Sequence, residues 1–276
     1  MELLIAILLG IIQGITEWLP ISSSGHLVIG EHFFGVEVPV FFDVMLHLGS
    51  LVVVLILFKK EVMEVISALP VLVSSVRKKE KLKYEIKNNK NVRLLLYLFL
   101  GTIPIGISGI VFHLFFMDIF KNLLLVGIAL IFTSILLAAT KGKEGEKEIF
   151  SVNKKNTLLV GLAQAVAIIP GVSRSGSTIS AGLLQKFDKE FAYRFSFLLF
   201  IPAMIGALVV ESLDVVEKGY ETELILPTIV GTITSMLTGY LTIKLLHKVV
   251  KERKLHLFSP YCLILGFILI IYYLFG

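Results

Sequence analysis

Gln13 and Glu17 stand four residues apart, so a helix carrying both presents an amide and a carboxylate on one face. Oxygen donors of this kind hold hard cations such as Mg²⁺ or Ca²⁺, or orient a water. The competing reading is a polar pair that caps the loop after the helix. Directly downstream runs Trp18-Leu19-Pro20-Ile21-Ser22-Ser23-Ser24-Gly25-His26. A second polar stretch, Pro170-Gly171-Val172-Ser173-Arg174-Ser175-Gly176-Ser177-Thr178, resembles it. A shift of 151 positions lays Gly10, Gln13, Ser22, Ser24 and Gly25 on Gly161, Gln164, Ser173, Ser175 and Gly176.

These residue types point to chemistry on a polar, anionic group. Arg174 is the strongest single residue, because its fork of N–H groups matches phosphate bidentately. Its competing reading is a structural ion pair with Glu17 or Asp43. Ser22, Ser24, Gly25, Gly171, Ser173, Ser175, Gly176 and Thr178 belong to loops that open short helices, whose unpaired N–H groups and positive dipole ends attract phosphate oxygens. Ordinary N-capping competes, but it needs only one serine per helix. Ser23 is the candidate nucleophile and His26 its candidate general acid or base, against a plain hydrogen-bonded histidine. Asp43 and His47, one helical turn apart, are weaker candidates to support the site from behind.

The surrounding elements are apolar. Of 276 residues 56% are hydrophobic, and the mean hydropathy is +0.88, above the range of soluble domains. A carboxylate, an imidazole and a guanidinium in such segments are costly and call for a function. The net charge of +5 lies in loops beside apolar runs, where membrane topology explains it and nucleic-acid binding does not. The single cysteine, Cys262, excludes a disulfide within one chain. The start carries Glu2 and lacks the basic residues of a signal peptide, so residues 1–19 are expected to stay in the mature protein.

Six segments are long enough to span a membrane: 41–58, 94–116, 119–140, 191–210, 225–246 and 257–275. The stretches 3–19 and 157–169 end at Pro20 and Pro170 and resume near 26–35 and 177–187. Helices of about 13 residues reach only about 20 Å, so each pair is expected to form a re-entrant hairpin. Residues 77–93 hold eight Lys/Arg, 141–155 five and 244–254 five, whereas 211–223 holds five acidic residues and only Lys218. Basic loops go to the cytoplasm. That orientation brings the first hairpin in from outside and the second from inside. The expected fold is therefore all-α and polytopic, one integral domain over 1–276, with repeat halves 1–140 and 157–276 of inverted topology. Residues 61–76 are expected to form an interfacial helix.

Three sequences resemble those of the undecaprenyl-diphosphate phosphatase family, the bacitracin-resistance membrane proteins. They are the (E/Q)xxxE motif at Gln13–Glu17, the WLP-I-SS-x-GH run at Trp18–His26 and the PGxSRSxxT motif at Pro170–Thr178, and Phe42–Ser50 fits as well. The resemblance covers essentially the whole chain. It implies hydrolysis of undecaprenyl diphosphate to undecaprenyl phosphate and inorganic phosphate, with Mg²⁺ or Ca²⁺ as cofactor. It also implies a place in a bacterial plasma membrane, and the site is expected to lie in an intramembrane cavity open to the outer face. Gln13 stands where many relatives carry Glu, which weakens a mechanism needing two carboxylates on the cation. Membrane lipids and a second copy of the chain are the other expected partners. Two other classes compete: a carrier that flips the lipid phosphate, and a scaffold whose polar loops only pack.

Overall fold

The computed structural model describes residues 1–115 and 122–275. The chain is helical: α1 (Leu3–Thr16), α2 (Ser23–Phe34), α3 (Val40–Leu57), α4 (Lys59–Ser67), α5 (Leu69–Val76), α6 (Lys79–Asn88), α7 (Lys90–Phe115), α8 (Leu123–Ala138), α9 (Lys154–Val166), α10 (Arg174–Leu184), α11 (Lys189–Lys218), α12 (Thr222–Lys251) and α13 (Ser259–Phe275). α3, α7, α11, α12 and α13 (the last with the 3-10 turn before it) are long and apolar enough to cross a membrane. α8 has 16 residues, and the expected span ends at 116 and 119–121 lie outside the described residues.

Proline and charge set the boundaries. α1 stops at Thr16 because Pro20 donates no N–H and disfavours helical backbone at Leu19. α2 starts at Ser23, not near 26, so Ser22 caps it and His26 falls in its second turn. α10 likewise starts at Arg174, capped by Ser173. The expected interfacial helix over 61–76 is two helices, α4 and α5, with Pro70 in the first turn of α5, where it is tolerated. The acidic segment 211–223 is not a loop: α11 runs on to Lys218 and α12 begins at Thr222. Glu and Lys are good helix formers, so a helix continues once it leaves an apolar layer.

The short helices pack against the long ones. α1 lies on α12, α9 on α7, and α3 between α11 and α12, while α8 pairs with α13. An aromatic cluster holds the centre. Phe197 meets Trp18 at 5.4 Å, Phe58 at 5.4 Å and Tyr193 at 4.6 Å between ring centroids. Such pairs contribute about 0.5–1.5 kcal/mol each beyond burial. The cluster fixes α11 against the turn that follows α1.

Gly171 joins the second loop to this frame. Its φ is 98°, and a Cβ there would stand 2.5 Å from the Val126 carbonyl oxygen. Gly171→Ala is therefore expected to lower stability by about 2 kcal/mol or more, through left-handed strain and overpacking together. Thermal unfolding in detergent checks this, and an unchanged midpoint would refute it.

Candidate active site

The two polar loops meet around one carboxylate. Glu17 follows the last residue of α1 and is 5% exposed. Its Oε1 accepts from Arg174 Nη2 at 2.6 Å. Its Oε2 accepts from Ser23 Oγ at 2.6 Å and from Gln13 Nε2 at 3.0 Å. His47 Nε2, on α3, stands 3.4 Å from the same oxygen. The i,i+4 spacing of Gln13 and Glu17 thus puts both on one face, where the amide donates to the carboxylate. Arg174 and Glu17 form the ion pair that the sequence offered as the competing reading.

Capacity remains beside this knot. Arg174 Nη1 and Gln13 Oε1 are buried and have no partner among the described residues. The guanidinium lies over Phe200, with its carbon 4.0 Å from the ring centroid, and 5.9 Å from that of Phe197. A cation over an aromatic face is held without spending its N–H groups. One donor arm of Arg174 is therefore free for an anionic oxygen.

Most of the predicted binding serines are committed to structure. Ser22 Oγ accepts from Gly25 N at 3.3 Å and from Gly171 N at 3.1 Å, tying the loops together, and its own φ is 73°. Ser173 Oγ accepts from Gly176 N at 3.1 Å. Ser175 Oγ donates to the Trp18 carbonyl at 3.3 Å, and Ser24 lies 3.4 Å from Ser22 between hydroxyl oxygens. Thr178 Oγ1 bonds Arg174 O at 2.8 Å and Ser196 Oγ at 2.6 Å, bracing the turn that carries the arginine. What the loops still offer an anion are first-turn backbone N–H groups, at Ser23 and Ser24 of α2 and at Arg174 and Ser175 of α10, which have no acceptor within their helices.

His26 is placed differently from the expectation. Its Nδ1 lies 2.7 Å from Ser22 O, and a carbonyl only accepts, so Nδ1 carries the proton. Its Nε2 lies 2.7 Å from Tyr261 Oη, and the two rings stack at 5.8 Å. The hydrogen-bond partner of Ser23 is therefore Glu17 and not His26. The physical reason is the helix start at Ser23, which turns the serine back toward the end of α1.

Among the described residues no three His, Cys, Asp or Glu side chains gather as a metal cage. The Glu17 carboxylate and the unpartnered Gln13 Oε1 still fit a hard cation that draws its other ligands from phosphate and water, as Mg²⁺ does. Sequence reasoning passed over Tyr261 and Phe200, which carry no local signal. It gave His47 little weight, although the spacing from Asp43 was visible.

Comparison with known proteins gives the family. The family model described as bacitracin resistance protein BacA matches residues 6–268. An undecaprenyl-diphosphatase of Halothermothrix orenii is 42% identical over 273 residues, 98% of each chain. One of Desulforapulum autotrophicum is 37% identical over 273 residues, again 98% of each. Undecaprenyl-diphosphatase 4 of Bacillus thuringiensis is 39% identical over 272 residues, 98% of this chain and 97% of that one. With a family model over nearly its whole length and relatives matched end to end, the chain belongs to the bacitracin resistance protein BacA family.

Proposed function

We propose that this protein hydrolyses undecaprenyl diphosphate to undecaprenyl phosphate and inorganic phosphate in a bacterial plasma membrane, its site facing outward. Its relatives' names supply the substrate. The observation that carries the chemistry is the Glu17 carboxylate, bonded at once to the Ser23 hydroxyl and to Arg174. Nucleophile, proton acceptor and anion clamp share one group. By removing the lipid diphosphate that bacitracin targets, this activity accounts for resistance.

In this reading Arg174 Nη1 and the first-turn amides bind the terminal phosphoryl group and stabilise its developing charge. Ser23 Oγ attacks the terminal phosphorus, its proton passing to Glu17 Oε2. The bridging P–O bond breaks and undecaprenyl phosphate leaves. Water then cleaves the phosphoserine, releasing phosphate and restoring the hydroxyl. His26 acts through Nε2, its one ring nitrogen not held by backbone. A divalent cation held by Glu17 and Gln13 would neutralise diphosphate charge. Water attack with Glu17 as base is the competing step.

The packing supports an inverted repeat of six spans and two re-entrant hairpins in one domain, with halves 1–140 and 157–276. Pairing α1, α2, α3, α7 and α8 with α9, α10, α11, α12 and α13 maps the α1–α12 contact onto α9–α7. α8 and α13 then map onto each other. They meet at Gly127 and Gly266, where a Cβ on either would lie 2.9 or 2.7 Å from the other's carbonyl oxygen. Such repeats also build carriers, so a flippase for the lipid phosphate is the second reading.

Purified protein in detergent with polyprenyl diphosphate is expected to release phosphate with Mg²⁺ or Ca²⁺ and to lose that activity in chelator. Substrate labelled in its terminal phosphate is expected to label Ser23. Phosphate release without label, retained by Ser23→Ala, favours water attack. No release under any of these conditions favours the carrier.

A further inference from the structure

The groups above act on the terminal phosphoryl, and the second phosphate, the one that carries the chain, has no partner among them. That phosphate must lie between the buried Glu17–Arg174 pair and the lipid that takes the tail. Tyr261 Oη stands on this border. The residue belongs to the first turn of α13 and is 45% exposed, whereas its neighbour Cys262 is buried with Sγ 3.8 Å from the Pro20 carbonyl oxygen. The first turn of α13 is thereby seated on the loop that carries Ser22 and Ser23. Tyr261 Oη lies 2.7 Å from His26 Nε2. His26 Nδ1 reaches back along α2 to Ser22 O at 2.7 Å, so the ring lies at the amino end of that helix, beside the first-turn amides of Ser23 and Ser24. Tyr261 Oη is therefore no farther from Ser22 O than two hydrogen bonds and the width of an imidazole, a distance that a diphosphate spans.

We propose that Tyr261 binds the chain-side phosphate of the lipid diphosphate, its hydroxyl passing from His26 Nε2 to a phosphate oxygen. This rests on the phosphatase reading. The Ser22 carbonyl only accepts, so the His26 proton sits on Nδ1 and Nε2 holds a lone pair. The proton between Nε2 and Oη is then the tyrosine's, and the hydroxyl is a donor. A charged phosphate oxygen makes a stronger bond with it than a neutral imidazole does. A turn of the half-exposed side chain carries the donor across and leaves His26 Nε2 bare once substrate is seated. The tail has a way out from the same residue. Exposed Ile264, Ile268 and Ile271 follow Tyr261 at helical spacing, so one apolar stripe of α13 leads from the phosphate along the lipid.

The test is steady-state phosphate release by the full chain in detergent, with polyprenyl diphosphate, for wild type and Tyr261→Phe. Phenylalanine keeps the ring that stacks on His26 at 5.8 Å and removes only the hydroxyl. It is expected to raise KM about tenfold or more, the effect of losing a hydrogen bond to a charged oxygen, with kcat within about threefold of wild type. Inhibition by polyprenyl phosphate, the product that keeps the chain-side phosphate, is expected to weaken about as much as KM rises. Inhibition by inorganic phosphate, which fills the terminal position, is expected to stay within about twofold of wild type. If Tyr261→Phe fails to fold, Tyr261→Leu carries the same expectations. A KM within about twofold of wild type would overturn the inference, whether kcat falls because the tyrosine only holds His26 or the unfolding temperature falls because it only packs. Equal weakening of both inhibitions would overturn it too. Each of these leaves the phosphatase reading standing, whereas a wild type that releases no phosphate would overturn both.

Discussion

Glu17→Gln is expected to lower kcat for phosphate release about 10²–10⁴-fold, the range for loss of a general base. Glutamine keeps the shape and can still accept from Ser23, but it cannot take the proton. The same change strands the Arg174 guanidinium without its 2.6 Å partner in a site where Glu17 is 5% exposed. Breaking a buried pair on one side costs about 3–5 kcal/mol, so thermal unfolding is to be read alongside turnover. The two effects separate cleanly. Loss of stability lowers the amount of active enzyme, whereas loss of the base lowers kcat of the folded fraction. A folded Glu17→Gln protein with kcat within tenfold of wild type would remove Glu17 from the proton path.

Arg174→Lys tests the other side of the pair. An ammonium can replace the Nη2 contact to Glu17 and keep the charge balance, so stability is expected to change little. It cannot do this and also offer what Nη1 offers, since the planar fork reaches two oxygens in fixed directions. The stack on Phe200 at 4.0 Å is weakened too. Loss of one preorganised donor to a developing anion lowers rates about 10²–10³-fold, and that is the expected fall in kcat/KM. KM is expected to rise as well, because the same arm binds the ground-state phosphate. A lysine enzyme within about fivefold of wild type would mean that charge alone suffices and that the unpartnered Nη1 has no part in binding.

The two changes should not add. Glu17 and Arg174 are in direct contact, and coupled residues commonly show interaction energies of about 0.5–3 kcal/mol. Removing both charges together leaves no stranded ion. Such a double variant is expected to be more stable than Glu17→Gln alone, although no more active.

Much of this was legible in the chain because the bilayer leaves few choices. Apolar runs of spanning length must be helical, since no other open structure satisfies the backbone in lipid. Charged side chains within them must have partners. That reasoning singled out Gln13, Glu17, Ser23 and Arg174, which the structure brings together, and it placed breaks in the helices at Pro20 and Pro170. It misjudged where helices end outside the apolar layer, as at 211–223, because hydropathy is silent there while Glu and Lys keep the helix going.

Partnership was the part that sequence spacing could not give. Ser23 and His26 are three apart, yet Ser23 bonds Glu17 and His26 bonds Ser22 and Tyr261. Arg174 reaches Glu17 across 157 positions of chain and His26 reaches Tyr261 across 235. The sequence by itself determined that this protein is helical and apolar and that it carries residue types suited to an anion, because those follow from residue type and local periodicity. Only the tertiary structure decided that both polar loops close on a single carboxylate, that most loop serines hold the loops together, and that His47 faces the site from α3. Hydrogen bonds require angstrom-level approach, and that approach is set by how the helices pack.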